Sequence, residues 1–131
     1  MKVTLIFDGF WIEANKKWIT PCAGVYCVYA CHFNSISNSV RLNRILYIGE
    51  SDNVNVAVAQ NEELERWRSR IELGEELCYS VAPNENPELR KISVLALVRR
   101  NRPLCNALMS DDDEIDSIVV EVSGCGGLLN S

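Results

Sequence analysis

Two apolar runs lie close together in the first half of the chain, and they constrain its fold more than any other feature. Residues 24–33 and 42–49 are rich in β-branched and aromatic side chains, and the polar residues 34–38 separate them. Such side chains favour strands, and two strands joined by a short polar loop most simply pair as an antiparallel hairpin. The sequence therefore predicts a β-hairpin at the centre of the fold.

The segments on either side of this hairpin predict helices and further strands. Residues 3–7 indicate a short strand or an N-terminal arm. Residues 10–19 carry two tryptophans at helix-compatible spacing, which predicts an element that packs aromatic rings onto the core. Apolar residues recur at three-to-four spacing over residues 54–71, apart from one wider gap around Asn61, which predicts a helix capped by Ser51 or Asp52. Its first turn is left open, because the run from 54 to 58 also alternates like a strand.

The second half of the chain contains the clearest helix start. Asn86 is a good N-cap, Pro87 fits the first helical position, and Pro103 prevents extension beyond the arginines before it. The helix between them is apolar on nearly every side, which predicts burial. Residues 77–82 and 118–122 predict two more strands. The expected fold class is α+β (mixed α/β), with a small antiparallel or mixed sheet flanked by helices.

Length and composition predict one domain over residues 1–131. The hydrophobic fraction is 47% and the charged fraction 24%, which is ordinary for a globular protein with a real core. Asp8 comes too early for the apolar core of a signal peptide, and no run approaches the roughly 18 apolar residues of a membrane helix. We therefore expect a cytoplasmic protein that does not associate with membranes.

The six cysteines form no CxxC pair, and the single histidine, His32, has no partner at zinc-finger spacing. They are therefore expected to be free thiols, mostly small buried side chains, with Cys27 and Cys31 on the same side of a strand. The acidic run 111–114 lacks the glycine and distal glutamate of a calcium loop and is expected to be solvated. The sequence thus predicts no structural metal.

Two tripeptides suggest a family. Gly24-Val25-Tyr26 opens the first hairpin strand, and Tyr47-Ile48-Gly49 closes the second. Residues 50–54 continue toward the first helix, and residues 103–106 read Pro-x-x-Asn after the second. Together with segments 7–11 and 124–129, these features resemble a bacterial subgroup of the GIY-YIG nuclease superfamily, whose name records the two tripeptides. The resemblance covers nearly the whole chain and implies a GIY-YIG-like domain.

The resemblance also implies a chemistry. In the family, a tyrosine of the tripeptides helps to activate water, an arginine on the first helix steadies the phosphate, and a glutamate on the second helix holds one divalent metal. A guanidinium and a cation both relieve the negative charge that a phosphodiester gathers in its transition state. In this sequence the matching positions are, by residue, Gly24, Tyr26, Tyr47, Gly49, Asn53, Asn55, Ala57, Asn61, Val94 and Asn106.

Several of these positions lack the side chain that the chemistry needs. Tyr26 and Tyr47 match the family and are candidates for a vestigial site. The arginine position falls near Asn55 or Ala57, and the glutamate position falls at Val94, which has no metal-ligating atom. The helix bearing Val94 is nevertheless expected to direct that side chain toward the tyrosines.

The sequence therefore predicts a catalytically degenerate GIY-YIG-like domain that binds nucleic acid or a protein partner and needs no cofactor. Two alternatives stay open: an active endonuclease, dependent on Mg²⁺ or Mn²⁺, with relocated catalytic groups, and a purely structural interaction module. The net charge of −5 opposes nucleic-acid binding, although a local basic patch would permit it weakly. The pattern of the arginines favours solvated helix surface, but candidates for such contacts are Arg66, Arg68, Arg70, Arg99 and Arg100.

Overall fold

Five strands and four helical segments make up the part of the chain that this computed structural model describes, residues 1–107 and 117–129. The helical segments are a 3-10 helix (Glu13–Trp18), α1 (Val54–Ala59), α2 (Leu64–Arg68) and α3 (Pro87–Asn101). The strands are β1 (Lys2–Ile12), β2 (Gly24–Asn34), β3 (Ser39–Ser51), β4 (Glu76–Pro83) and β5 (Val119–Gly124). The predicted α+β class is confirmed, and so is the central hairpin, formed by β2 and β3.

The strands form one mixed sheet in the order β3-β2-β4-β1-β5. The hairpin strand β2 also pairs antiparallel with β4, which in turn pairs antiparallel with the second half of β1. The first half of β1 pairs in parallel with β5. The long strand β1 therefore joins the antiparallel centre of the sheet to a parallel edge.

Helices cover both faces of β2, which explains why nearly all of this strand is buried. Successive side chains of a strand point to opposite faces, so β2 contributes to two separate clusters. The first core lies on the side of α3 and contains Val3, Leu5, Phe7, Val25, Cys27, Tyr29, Cys31, Ile48, Cys78, Ala82, Ala96, Leu97, Val98 and Val120. The second core lies on the side of α1 and α2 and contains Ile19, Tyr26, Val28, Ala30, Leu46, Val54, Val58, Trp67, Leu77, Tyr79, Val81 and Cys105.

The prediction for α3 is confirmed at both ends. Asn86 Oδ1 accepts hydrogen bonds from the backbone nitrogens of Glu88 (3.0 Å) and Leu89 (3.1 Å), and Pro87 occupies the first turn. Arg102 ends the helix in a left-handed conformation with φ 47°, and Pro103 follows. The predicted burial is confirmed beyond the first turns: residues 92–101 of α3 are all buried or half-buried, whereas Lys91 is exposed.

Two other predictions for the helices are corrected. The single helix expected over residues 54–71 is two short helices, because the Asn61 side chain accepts a hydrogen bond from the backbone nitrogen of Glu63 (2.7 Å) and so competes with helical bonding. Residues 10–12 belong to β1, and only the following segment is helical. Trp11 packs against the second core as expected, but Trp18 is 70% exposed, so the prediction is wrong for that ring.

The remaining predictions concern the cysteines, the acidic run and membranes. All six cysteines are free, and Cys27 and Cys31 both face the first core, as predicted. The acidic run 111–114 lies outside the described residues. None of the helices within residues 1–107 and 117–129 is long and apolar enough to cross a membrane.

Candidate functional site

The two tyrosines of the tripeptides lie side by side on the face of the sheet that carries the second core. Tyr26 pairs across the hairpin with Gly49, and Tyr47 pairs with Val28, so the two tyrosines are diagonal neighbours. Their ring centroids are 6.0 Å apart, and the rings are tilted by 44°. The structure therefore brings the two predicted residues together.

Aromatic packing continues from the tyrosines into the interior. The Tyr47 ring lies 5.3 Å from the fully buried ring of Trp67, which in turn lies 6.5 Å from the ring of Tyr79. Rings at these separations and tilts stabilise one another in addition to burying apolar area. The tyrosines are thus one end of an aromatic row within the second core.

The two tripeptide glycines allow backbone and ring to approach closely. A Cβ at Gly49 would lie 2.7 Å from the Tyr26 hydroxyl and 2.9 Å from the Tyr47 ring. A Cβ at Gly24 would lie 2.5 Å from the carbonyl oxygen of Ala82. Contacts under about 3 Å are repulsive, so packing alone requires glycine at both positions.

Burial makes the tyrosine hydroxyls poor acids. Tyr26 is 3% exposed, and this burial raises its pKa well above the usual value, with a further rise from the neighbouring Tyr47. Burial also raises the pKa of Tyr47, and the carboxylate of Glu63 adds to the rise. A group that activates water by taking its proton needs a pKa near the working pH. Both hydroxyls stay protonated near neutral pH and cannot supply a phenolate base.

The carboxylates nearest the tyrosines are already paired with arginines. Glu50 follows the second tripeptide, and its Oε1 accepts a hydrogen bond from Nε of Arg90 on α3 (3.1 Å). The same guanidinium donates to Asp52 and to the carbonyl oxygen of Asn84 (3.0 Å). Glu63, whose charge acts on Tyr47, pairs with a neighbouring arginine of α2.

Arg90 is a residue whose role the sequence interpretation missed. Its side chain is only 2% exposed, and all three of its nitrogens donate hydrogen bonds. A buried guanidinium needs such partners, because an unpaired buried charge is strongly unfavourable. Arg90 lies three and seven residues before Ser93 and Leu97, both of which are buried, so helical periodicity contained the signal.

The side chains present do not fit the divalent metal that the resemblance implies. Val94 offers no ligand, and the carboxylates of Glu50 and Glu63 are held by arginines. A hard cation needs free oxygen ligands that are directed to one point. Within residues 1–107 and 117–129, no group of three or more histidines, cysteines, aspartates or glutamates is arranged to hold a metal ion.

The structure does not direct Val94 toward the tyrosines, so that expectation is wrong. Val94 packs against the first core, whereas Tyr26 belongs to the second. Spacing from Pro103 locates a position along the helix, but it does not say on which face of the sheet the helix packs. The sheet therefore separates Val94 from the hydroxyls that it was expected to accompany.

Two of the asparagines at family positions connect local elements. Asn53, and not the predicted Ser51 or Asp52, is the N-cap of α1. Its side chain accepts a hydrogen bond from the backbone nitrogen of Val56 (3.3 Å). Asn55 Nδ2 donates to the carbonyl oxygens of Lys17 (3.1 Å) and Ile19 (2.6 Å), which ties α1 to the 3-10 helix. Both side chains therefore hold backbone in place.

The other three positions are also accounted for by contacts within the fold. Asn61 Nδ2 donates to the Tyr26 hydroxyl (3.2 Å), and Ala57 packs against the second core. Asn106 accepts from the Ile48 backbone nitrogen and donates to the Ile48 carbonyl oxygen, both at 2.9 Å. These two bonds extend the edge of the sheet next to β3.

The five candidate arginines do not form one basic face. Arg66 and Arg68 pair with glutamates one turn earlier on α2, and the Arg70 side chain is exposed. Arg99 and Arg100 are on α3, which packs on the opposite face of the sheet, and Arg100 donates to the carbonyl oxygen of residue 118. Because the two groups of arginines lie on opposite faces of the sheet, one short segment of nucleic acid could not contact both groups.

Comparison with known proteins gives no match: no family model, no curated protein and no solved structure matches the chain. The likeness of its two tripeptides to the GIY-YIG superfamily therefore stays a prediction from the sequence. What the site can do is inferred from its geometry.

Proposed function

We propose that the chain is a catalytically degenerate GIY-YIG-like domain that acts by binding, and that its partner is nucleic acid. The observation that carries the first half is the pairing of every nearby carboxylate. Glu50 is held by Arg90 and Glu63 by Arg66, next to tyrosines whose pKa values are raised. The site therefore offers no phenolate base for water, and both of these carboxylates are already neutralised by an arginine.

The size of this deficit supports a loss of catalysis. Removing one group that stabilises a developing charge typically lowers the rate by about two to three orders of magnitude. The site lacks a free arginine at Asn55 and Ala57 as well as a carboxylate at Val94, and the sheet separates Val94 from the tyrosines. These deficits act on the same transition state, so the expected rate is at background.

Nucleic acid is proposed as the partner because the two tripeptides resemble those of a nuclease superfamily, and binding is expected to be weak. A net charge of −5 repels a polyanion at long range, so contacts must come from a small local patch. Such binding weakens as salt is added, because binding releases counterions from the nucleic acid and a higher salt concentration opposes that release.

Two measurements test these statements separately. Supercoiled plasmid is incubated with the protein and Mg²⁺ or Mn²⁺, and nicking is expected to stay at background. Nicking that is present in the parent and lost in Tyr47→Phe would show a working nuclease and overturn the degenerate assignment.

Fluorescence anisotropy of a labelled single-stranded oligonucleotide is expected to show weak, salt-sensitive binding. Absence of any binding at low salt would contradict nucleic acid as the partner, and tight binding at high salt would contradict the electrostatic argument.

A further inference from the structure

The corner of the fold that includes the 3-10 helix exposes an aromatic ring that packing does not use. Trp18 is 70% exposed, whereas Trp67 is fully buried and Trp11 packs against the second core. The residues that follow, Ile19 aside, are polar or exposed: Thr20 and Pro21 both lie at the surface. The indole is therefore an apolar surface that the fold leaves exposed.

Hydrogen bonds fix the backbone that carries this exposed ring. Asn55 Nδ2 bonds the carbonyl oxygens on either side of Trp18, those of Lys17 and Ile19. Ile19 is 1% exposed in the second core, and its backbone nitrogen donates to the carbonyl oxygen of Lys16 (3.1 Å). The backbone that carries the ring is thus held in place, so binding to the ring requires little loss of backbone entropy.

One positive side chain lies over the ring. Lys17 Nζ lies over the indole, 5.3 Å from its centroid, and is not within salt-bridge distance of any described carboxylate. Lys16 and Arg68 are also at this corner, although both pair with Glu13. The corner therefore combines a stacking surface with one lysine that no described carboxylate neutralises, in a chain whose overall charge is negative.

We propose that Trp18 and Lys17 form the contact surface for single-stranded nucleic acid, with a base stacked on the free face of the indole and a phosphate near Lys17. This inference rests on the proposed function. It places the binding surface at Trp18 and Lys17 and not at the five candidate arginines. Every base has a face that stacks on an aromatic ring, so the contact does not require a particular sequence. A lipid surface would need a broader apolar area than one exposed indole.

The first test uses the tryptophan emission and a short oligothymidine. Trp18 is the exposed fluorophore, so oligothymidine should quench the parent and Trp11→Phe but not Trp18→Phe. In anisotropy, Trp18→Ala should bind labelled oligothymidine about tenfold more weakly. Because Trp18 is exposed, its variants should keep the parent melting temperature, which separates loss of contact from loss of fold.

The second test isolates the cation. Lys17→Gln should reduce the slope of log affinity against log salt by about 0.7, the value for one phosphate contact on a single strand. Lys91→Gln, which removes an exposed lysine on α3 instead, should leave the slope unchanged. Equal slopes for Lys17→Gln and the parent would show that Lys17 is not part of the contact surface.

The failures of the two proposals are distinguishable. If oligothymidine binds the parent and Trp18→Ala equally well, the surface assignment is wrong while nucleic-acid binding stands. If neither protein binds, nucleic acid is not the partner and both proposals fall. Quenching of Trp18 by vesicles of anionic lipid, but not by oligothymidine, would assign this corner to a membrane surface and overturn the inference.

Discussion

Replacing Asn106 with alanine should destabilise the protein, because it removes two hydrogen bonds at the edge of the sheet. β3 is an outer strand, and the Asn106 side chain satisfies both outward backbone groups of Ile48, with two bonds of 2.9 Å. Ile48 is fully buried, so the alanine variant leaves a donor and an acceptor without their partner. Each unsatisfied buried group costs on the order of 1–3 kcal/mol, and water entering the gap recovers part of this.

The expected loss in the free energy of unfolding is therefore about 3 kcal/mol. For a chain of this length, that corresponds to a fall in melting temperature of roughly 10 °C. The assay is thermal unfolding followed by circular dichroism, with urea unfolding to obtain the free energy. Asn15→Ala, at an exposed position, is the matched control and should change stability by less than about 0.5 kcal/mol.

An isosteric variant makes the argument sharper. Asn106→Asp keeps an acceptor for the Ile48 nitrogen but places a second oxygen against the Ile48 carbonyl. It should be destabilised at neutral pH and should recover in part at low pH, where the protonated carboxyl can donate. If Asn106→Ala melts within about 2 °C of the parent, Asn106 does not stabilise this edge and the reasoning is refuted.

Two further substitutions test the ion pairs. Hydrogen bonding from Arg44 lowers the pKa of Glu75 to about 2, so its contribution to stability is present above the unfolded pKa near 4.5 and is lost as the pH falls toward 2. Glu75→Gln should therefore melt lower than the parent at pH 7, and the difference in melting temperature should vanish near pH 2. The control Glu62→Gln, at an exposed position, should show no such trend. A difference in melting temperature that does not depend on pH would contradict the assignment. Arg90→Met leaves Glu50 without its guanidinium and should cost about 3 kcal/mol in urea unfolding, against less than about 0.5 for Lys91→Met. A stable Arg90→Met variant would show that the Arg90 pair is not needed for the fold.

Short sequence patterns predicted those elements whose structure depends on residues close together in the chain. The hairpin and α3 follow from strand composition, a polar loop, an N-cap and two prolines, and the structure confirms them. The break between α1 and α2 depends on the single side chain of Asn61, which also bonds the Tyr26 hydroxyl 35 residues away. The parallel pairing of β1 with β5 joins the two ends of the chain, and no short pattern encodes such a contact.

The candidate site was predictable in position but not in surroundings. The two tripeptides located Tyr26 and Tyr47, because the hairpin register brings them together. Spacing could not tell that Val94 belongs to the first core. Burial of Arg90 was also missed, since a charged residue near a helix start is usually solvated, and only its partners Glu50 and Asp52 make burial tolerable.

The same contacts separate residues that the fold needs from one that it does not. Tyr26, Tyr47 and Gly49 interlock so closely that a Cβ at the glycine would overlap the rings, so packing alone accounts for the tripeptides. Trp18 gains no comparable stabilisation, because an indole that is 70% exposed buries little apolar area. Substitution of the tyrosines therefore reports first on stability, whereas substitution of Trp18 reports on binding. That difference makes Trp18 the sharper test of what the protein does.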